Sequence, residues 1–488
     1  MNEYTGMNMS PGEFRETGRL LVELLAGFLE ELPGLPVTRA ENPAELRVLL
    51  PQGGIPDKGE KSSTLVRETT KLLTEHSLFN GHPRFWGYIT SSAAPLGALA
   101  DMLAAAVNAN VGAQALSPMA TEIEQQSIQW LSQLIGYREN CGGIFVSGGN
   151  MANFLGYLAG RKNKVPIANP DKAEKIPTVY CAKATHTWIH KAVTLFGGGV
   201  DQIRWIDVLP TNQMDLESLT ASIQRDLAND CEPFMVIGNA GTVETGGVDE
   251  LQGIAAICRK FNLWFHIDGA YGAPAAALPE LKSVFDGLAE ADSIAIDPHK
   301  WLYSPLEAGC ILVRNGEHLR EAFSHRPPYY NFEGDPDNIP LNYHEYGMQN
   351  SRGFRALKVW MSIRHIGKNG IIEMIRKDIR LAGELFRLVG SRKELKAISH
   401  HLSITTFKYL PRRNEGKANL EFENQFNEKL LNRLQRGGEV FLSNAIVHSA
   451  YCLRVCIVNF RTSYADLEFL VEKVIQEAHL LESEQGLY

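Results

Sequence analysis

Between about residues 140 and 315, short apolar runs alternate with segments of helical length. The apolar runs, such as Phe234-Met-Val-Ile237 and Ile294-Ala-Ile296, have the length of buried strands, and the segments between them repeat apolar residues at helical spacing. A strand, a helix and a further strand form the unit from which parallel sheets are built. The sequence therefore predicts an α/β fold organised around one large, mostly parallel sheet.

One predicted strand in this region ends in Asp297-Pro-His-Lys300, where the proline stops strand pairing and places Lys300 on a turn beside the core. Apolar surroundings disfavour an ammonium ion, so the neutral amine becomes available. Because a neutral amine condenses with aldehydes, this segment indicates a Schiff base at Lys300. A surface lysine after a strand is the alternative interpretation of the segment taken alone.

Another apolar run, Leu263 to Ile267, precedes Asp268 and small residues. In open α/β sheets, ligand-binding groups lie at the carboxyl ends of the parallel strands. A carboxylate in that place can keep a pyridine nitrogen protonated, as the electron-sink chemistry of pyridoxal phosphate requires. Asp268 and Lys300 together therefore predict that two ends of one pyridoxal phosphate molecule are bound at this edge.

Two further segments provide groups for the same cofactor. Gly148, Gly149 and Asn150 follow a predicted strand and begin a helix, whose free N–H groups could bind a phosphate, although tight strand-helix turns use paired glycines routinely. The spacing does not match the dinucleotide-binding pattern. His186 follows another predicted strand, where a neutral imidazole could stack on a pyridine ring or have a purely structural role.

In this order, the motifs resemble those of the pyridoxal-phosphate-dependent group II amino-acid decarboxylases, which have fold type I. The pattern is closest to the aromatic L-amino-acid decarboxylases, which carry a similar His-Val-Asp-Ala-Ala-Tyr and an Asn-Pro-His-Lys-Trp, and it covers nearly the whole chain. The resemblance implies decarboxylation of an L-amino acid, with the aromatic class favoured, to the amine and CO2. It implies that Lys300 binds the cofactor covalently, Asp268 contacts the ring nitrogen, His186 stacks on the ring and His299 neighbours the phosphate.

The resemblance extends to three less regular positions. Thr242 lies on a turn expected to support the cofactor, one residue before the position that a gap-free register assigns to Val243. Asp297 replaces the asparagine of the animal enzymes, and because a carboxylate repels a phosphate, we expect it to face hydrogen-bond donors. Tyr329 matches a mobile-loop tyrosine that protonates the carbanion, with Tyr330 as the neighbouring alternative; related aldehyde synthases carry phenylalanine there.

The resemblance also implies a substrate pocket, for which the candidate residues are Trp86, Tyr88, Ile89, Gly112 and Ser351. The first three could equally belong to the core. Gly112 stands where aromatic decarboxylases place a large aromatic residue across the dimer, and Ser351 stands where histidine-type relatives also have serine. A histidine or an acidic amino acid therefore remains open as the substrate. Aldehyde synthesis, transamination and lyase chemistry remain open as reactions, and Arg454 would suit transamination.

We expect three parts: an N-terminal helical arm (1–85), a large cofactor-binding domain (86–368) and a small C-terminal α/β domain (369–488). The arm is too thin to form its own core. In the related family it wraps around the partner subunit, which implies an obligate homodimer, with a simple helical cap as the alternative.

Local patterns also predict a helix that begins at Ser351 and, in the small domain, strands over residues 403–409, 440–442 and 452–460.

Composition excludes several classes of function. A net charge of −8 without a basic block argues against nucleic acid as a partner, and no apolar run reaches the length of a membrane span. The seven scattered cysteines indicate free thiols in a reducing compartment, and the start lacks the features of a signal peptide, so we expect a cytoplasmic protein. No cysteine and histidine set of metal-binding spacing is present, so no metal site is expected.

Overall fold

The computed structural model describes residues 7–165, 175–325, 340–412 and 420–486. Its α-helices are α1 (Pro11–Glu31), α2 (Pro43–Arg47), α3 (Ser62–Glu75), α4 (Pro95–Val107), α5 (Pro118–Leu134), α6 (Gly149–Lys164), α7 (Trp188–Leu195), α8 (Leu216–Ala228), α9 (Leu251–Phe261), α10 (Glu317–Phe323), α11 (Ala356–Gly390), α12 (Leu420–Gly437) and α13 (Tyr464–Glu484). Its strands are β1 (Gly142–Val146), β2 (Ile176–Ala182), β3 (Ile203–Ile206), β4 (Cys231–Asn239), β5 (Trp264–Asp268), β6 (Ser293–Ile296), β7 (Gly309–Val313), β8 (Leu395–His401), β9 (Ile404–Tyr409), β10 (Ser443–Val447) and β11 (Ala450–Cys456).

The large sheet has the strand order β1-β7-β6-β5-β4-β2-β3. Its pairs from β6 through β5, β4 and β2 to β3 are parallel, whereas β7 runs antiparallel to both β1 and β6. The central strands are almost entirely buried, because helices cover both faces of a parallel sheet. The predicted large and mostly parallel sheet is confirmed.

The strand register brings the predicted site residues to one edge of this sheet. Asn239, the last residue of β4, pairs with Asp268, the last residue of β5, and Asp268 pairs with Ala295 near the end of β6. The turn that carries Lys300 begins immediately after β6. Because the strands are parallel, their carboxyl ends form a single edge where these groups can meet.

The small domain contains the antiparallel sheet β10-β11-β9-β8, with its own apolar core against α12, α13 and the second half of α11. The prediction of a strand over residues 440–442 was wrong, because the strand begins at Ser443 and residues 440–442 instead contact the segment around Trp86. Strand β8 was not predicted; its mixture of Lys, Ser and His resembles a loop in composition.

Helix α11 connects the two domains and is interrupted at Gly367, which has φ 72° and ψ 165°. The prediction that this helix begins at Ser351 was wrong, since it begins at Ala356. Arg352 explains the difference: its backbone N–H donates to Asn110 Oδ1 (3.0 Å) and its guanidinium donates to the Val111 carbonyl (2.7 Å). These bonds hold the preceding segment outside the helix.

The N-terminal helices α1 and α3 pack on each other, and neither has a fully buried residue. The segment that follows the arm packs against the small domain, where the Trp86 N–H donates to the Phe441 carbonyl (2.7 Å) and the Trp86 carbonyl accepts from the Cys456 N–H (3.2 Å).

The seven cysteines are all buried free thiols. Within the described ranges, no helix has both the length and the apolar character that crossing a bilayer requires.

Candidate active site

A cavity of 490 Å³ lies at the carboxyl edge of the large sheet. Ligand sites of this size are common at such edges. Its wall is formed by the residues Ser147, Gly148, Gly149, Asn150, Met151, Asn153, His186, Asn239, Gly241, Thr242, Val243, Asp268, Ala270, Tyr271, Asp297, His299, Lys300 and Glu307. The structure therefore brings all the predicted cofactor-binding residues of the described chain into one cavity.

Lys300 and Asp297 form an ion pair in this wall, with 3.2 Å between Lys300 Nζ and Asp297 Oδ2. The same Oδ2 accepts a hydrogen bond from the Gly149 N–H (2.9 Å), and Asp297 is only 1% exposed. The prediction that Asp297 faces hydrogen-bond donors is confirmed. The ion pair holds the lysine amine at the cavity wall.

Asp268 is oriented by a tryptophan that sequence reasoning did not single out. The indole Nε1–H of Trp188 donates to Asp268 Oδ2 (2.8 Å), and the Trp188 backbone N–H donates to His186 Nδ1 (3.3 Å). One residue at the start of α7 thus positions both the carboxylate and the imidazole. Its only signal in the sequence was its place directly after His186 and Thr187.

The imidazole of His186 favours its neutral form. Although part of its surface is open to the cavity, desolvation lowers the pKa of His186, and this outweighs the opposite influence of Asp268. A neutral ring in this place can lie against a flat aromatic ligand without adding charge.

The glycine pair adjoins the beginning of α6, with Gly148 as the N-cap and Gly149 as the first helical residue. The first turn of a helix leaves backbone N–H groups without intrahelical acceptors, and these attract anions. A Cβ on Gly149 would lie 2.7 Å from Asp297 Oδ2, and a Cβ on Gly148 would lie 3.0 Å from His299 Cε1. The close approach of these side chains to the helix start therefore requires small residues.

His299 lies on the connection between β6 and β7, and three contacts fix its position. Its Nδ1 accepts from the Ala308 N–H (3.0 Å), its carbonyl accepts from Ser91 Oγ (2.9 Å), and its Nε2 lies 3.6 Å from Asp297 Oδ2. Burial lowers the pKa of His299, against a smaller opposing influence of Asp297. The ring is thus a neutral, positioned group beside the helix start.

The turn after β4 contributes Thr242 and Val243, both of which line the cavity. Thr242 Oγ1 lies 3.0 Å from Thr245 Oγ1 and accepts from the Gly247 N–H (3.1 Å). Thr242 therefore stabilises the turn itself. Which of Thr242 and Val243 supports the cofactor stays a prediction.

Asn239 and Tyr271 also belong to the site and were not predicted. Asn239 Nδ2 donates to Asp249 Oδ2 (2.8 Å) and to Thr185 Oγ1 (3.1 Å), and the Tyr271 ring stacks on Trp301 with centroids 4.9 Å apart. Asn239 could have been found from its place at the end of a strand, by the same rule that identified Asp268.

The predicted substrate-pocket residues all lie in the described chain, and none of them lines this cavity. Trp86 is 0% exposed in the core of the small domain, so its assignment to the pocket was wrong and the core alternative holds. Tyr88 is exposed, and Ile89 is half-buried against the large core.

Gly112 lies beside Asn350, the residue before Ser351, and neither Gly112 nor Ser351 lines the cavity. A Cβ on Gly112 would lie 2.2 Å from the Asn350 carbonyl oxygen, so a large aromatic side chain does not fit in this local backbone. The departure from the aromatic decarboxylases at this position therefore has a steric reason.

Arg454 lies behind the Val243 turn, where it is buried and donates to the Val243 carbonyl. Burial lowers its pKa, and Glu244 opposes this shift. Tyr329 and Tyr330 fall outside the described residues.

The donor set fits pyridoxal phosphate. An amine, a carboxylate, a neutral imidazole and a helix start border one cavity, and the charges of Lys300, Asp268 and Asp297 all act on His186. The buried Asp297 Oδ1 has no hydrogen-bond partner among the described residues, although it adjoins this set. An amine for an aldehyde, a carboxylate for a pyridine nitrogen and free N–H groups for a phosphate match the three ends of that cofactor.

Residues 43–409 match the family described as the pyridoxal-dependent decarboxylase conserved domain. An aromatic-L-amino-acid decarboxylase of Bacillus atrophaeus is 30% identical over 96% of this chain and 96% of its own length. A phenylacetaldehyde synthase of Arabidopsis thaliana is 26% identical over 98% of this chain and 97% of its own length. The crystal structure of Oryza sativa TDC with PLP and tryptamine has a TM-score of 0.92 at 22% identity, covering 98% of this chain and 100% of that one.

Proposed function

Because this chain belongs to the pyridoxal-dependent decarboxylase family, we propose that it decarboxylates an aromatic L-amino acid to the corresponding amine and CO2. Membership in the family makes it a fold-type I carboxy-lyase that uses pyridoxal 5'-phosphate. The observation that carries the proposal is that Lys300, Asp268 and His186 line a single cavity at the carboxyl edge of the sheet.

We assign the following roles to the residues of that cavity. Lys300 binds the cofactor aldehyde through its amine. Asp268 holds a proton at the pyridine nitrogen, and the Trp188 indole fixes the carboxylate in place for this. His186 lies against the ring as a neutral imidazole. When bound, pyridoxal phosphate supplies an electron sink for the electron pair that remains after the carboxylate leaves as CO2.

We assign phosphate binding to the turn of Gly148, Gly149 and Asn150 at the start of α6. The first helical turn supplies backbone N–H groups and the two glycines supply space, while the Gly149 N–H itself donates to Asp297. His299, Asp297 and Thr242 line the same cavity. Tyr329, or its neighbour Tyr330, is proposed as the acid that returns a proton to the product carbon and closes the site to water.

The aromatic class is favoured by the relative from Bacillus atrophaeus, whose name states that activity and whose alignment covers nearly all of both chains. Aldehyde synthesis is the second candidate, because a phenylacetaldehyde synthase aligns over a similar length. Tyr329 favours simple decarboxylation, since the related aldehyde synthases carry phenylalanine at that position. Both reactions release CO2, so the two are separated by the other products: an amine in simple decarboxylation, or an aldehyde with ammonia and hydrogen peroxide, formed with consumption of O2.

The decisive experiment measures CO2 and amine from the cofactor-loaded enzyme with each proteinogenic L-amino acid and with dihydroxyphenylalanine. We expect release from aromatic substrates, its loss in Lys300→Ala together with the visible absorbance of the lysine-bound cofactor, and full activity in the matched control Lys282→Ala, at an exposed lysine. An enzyme that shows the absorbance but releases no CO2 from any of them would refute the assignment.

We also propose a homodimer. Helices α1, α3 and α4 expose large apolar side chains that a partner subunit would cover: Phe14, Val22, Leu25, Leu29, Leu65, Leu73, Leu99, Met102, Leu103 and Val107. Light scattering should give a mass near twice 54.2 kDa, and a monomer mass would contradict the proposal.

The buried free thiols support a reducing, cytoplasmic location. We retain the division into an arm (1–85), a large domain (86–368) and a small domain (369–488), with the segment around Trp86 docked on the small domain.

A further inference from the structure

A chain of buried hydrogen bonds leads from the core of the large domain to the wall of the cofactor cavity. The Trp264 indole Nε1–H donates to Ser293 Oγ (2.8 Å), and the same Oγ lies 2.8 Å from His266 Nδ1. His266 Nε2 in turn lies 2.8 Å from Oδ1 of Asn153, which lines the cavity. All four side chains are at most 2% exposed, so solvent does not compete for these bonds. The chain therefore fixes the orientation of the Asn153 amide.

The direction of this chain is set at its buried end. An indole N–H can only donate, so Ser293 Oγ accepts there and has one proton left to give. Burial lowers the pKa of His266 to about 4, so its ring is neutral and carries a single N–H. With the Ser293 proton directed to Nδ1, that N–H is at Nε2 and donates to the Asn153 amide oxygen, which can only accept.

The amide nitrogen of Asn153 is left without such a partner. Within the described ranges, Nδ2 donates to no acceptor, yet it is not sealed from solvent. Because the residue is otherwise buried, the surface that remains at Nδ2 opens on the cavity that Asn153 lines. The structure therefore presents an oriented N–H donor to this cavity.

Asn153 lies on α6 one turn after Gly149 and on the same helix face. A Cβ on Gly149 would lie 2.7 Å from Asp297 Oδ2 and 3.1 Å from Ala270 Cβ, so this face packs against the segments that follow β5 and β6. Helical side chains lean towards the N-terminus of their helix, so the Asn153 amide lies over the turn assigned to the phosphate. Of the acceptors on the cofactor, the phosphate oxygens belong at that turn, whereas the pyridine nitrogen is assigned to Asp268.

We propose that Asn153 is a further cofactor-binding residue, whose amide N–H donates to a phosphate oxygen of pyridoxal phosphate while His266 holds the amide in that orientation. This inference rests on the proposed cofactor site. It also has a reason in the helix start, because the Gly149 N–H already donates to Asp297 and is not free for the phosphate. The amide of Asn153 supplies a donor in its place.

The test compares the affinity of the apoenzyme for pyridoxal phosphate and for pyridoxal, which lacks the phosphate, by titration followed through cofactor absorbance. In Asn153→Asp, an oxygen replaces the amide nitrogen, and the acceptor for His266 remains. We expect the Kd for pyridoxal phosphate to rise about tenfold or more, because a donor is lost and a carboxylate repels the phosphate, and the Kd for pyridoxal to stay within about twofold. The matched control, Asn163→Asp at an exposed position of the same helix, should leave both Kd values unchanged.

Asn153→Ala removes the amide without adding a charge and should show the same selective loss, so it provides the comparison if Asn153→Asp does not fold. Circular dichroism identifies the folded apoenzymes before titration. Unchanged affinity for pyridoxal phosphate, or an equal loss of affinity for both ligands, would overturn this inference and leave the cofactor assignment standing. Absence of the cofactor absorbance in the wild type would overturn both.

Discussion

Replacing Asp378 with asparagine should flatten the fall in the free energy of unfolding between pH 5 and pH 8. Asp378 lies on α11, is 0% exposed, and accepts hydrogen bonds from Trp301 Nε1 (3.1 Å) and Tyr303 Oη (2.5 Å) through Oδ2. Its Oδ1 has no hydrogen-bond partner in the described chain. Burial raises the pKa of Asp378 to about 7, although the two hydrogen bonds oppose the shift.

The sign follows from comparing the folded and unfolded states. An unfolded aspartate loses its proton near its ordinary pKa of 3.8, whereas the folded one keeps it up to about 7. Between these values the folded state holds one proton more, so the free energy of unfolding falls by up to about 1.4 kcal/mol per pH unit as pH rises. From pH 5 to pH 8 the expected loss is about 3 kcal/mol, with little further change at higher pH.

Urea unfolding, followed by tryptophan fluorescence at one protein concentration, measures this loss at each pH. Asparagine accepts the same two hydrogen bonds, and any unsatisfied amide N–H at the Oδ1 position costs about the same at every pH. The difference between Asp378→Asn and wild type should therefore grow by about 3 kcal/mol in favour of the variant from pH 5 to pH 8. The matched control is Asp286→Asn, at an exposed aspartate, which should show no such trend.

A stability difference that stays constant from pH 5 to pH 8 would refute this reasoning. It would mean that the folded protein accommodates the charged carboxylate as well as water does.

Three further changes have defined outcomes. Trp188→Phe removes the N–H donor to Asp268 Oδ2 (2.8 Å). Since a hydrogen bond to a charged group contributes about 1.5–3 kcal/mol, the cofactor affinity measured by fluorescence titration should fall about ten- to hundredfold. An unchanged affinity would contradict the role of the indole. Burial lowers the pKa of His266 to about 4, so the stability that this group contributes above pH 6.5 is lost as pH falls towards 4, by up to about 3 kcal/mol. In thermal unfolding, His266→Gln should lose less stability over this pH range than the wild type. Arg352→Met removes the cation that pairs with the buried carboxylate of Glu124, 2.5 Å between Arg352 Nη2 and Glu124 Oε1, and should lower the free energy of unfolding in urea by about 3–5 kcal/mol. Adding Glu124→Gln to this variant should recover part of the loss. Equal losses in the single and the double variant would argue against the pair.

The elements and the edge that carries the site could be predicted from the sequence. The apolar runs Phe234–Ile237 and Ile294–Ile296, predicted as buried strands, lie inside β4 and β6. Asp268 and Lys300 were found because proline, glycine and acidic residues end the apolar runs, which depends only on neighbours along the chain. The rule that parallel strands present ligand groups at their carboxyl ends then placed both residues on one edge.

Contacts between distant segments could not be predicted in this way. The Trp188 indole reaches Asp268, the Asp378 carboxyl lies beneath the lysine turn, and Trp86 fills the core of the small domain because Phe441 and Cys456 pair with its backbone. An aromatic residue near a predicted pocket has the same local pattern whether it lines that pocket or a core.

The sequence by itself thus determined the parallel sheet, the order of the motifs and the cofactor chemistry, since these depend on local periodicity and on residue type. The tertiary structure decided which partner each polar atom meets. Asp297 shows this most clearly, since one of its oxygens contacts Gly149 and Lys300 and the other has no hydrogen-bond partner in the described chain. The asymmetry arises where the start of α6 meets the turn after β6. These two segments are far apart in the sequence, so no local pattern predicts their contact.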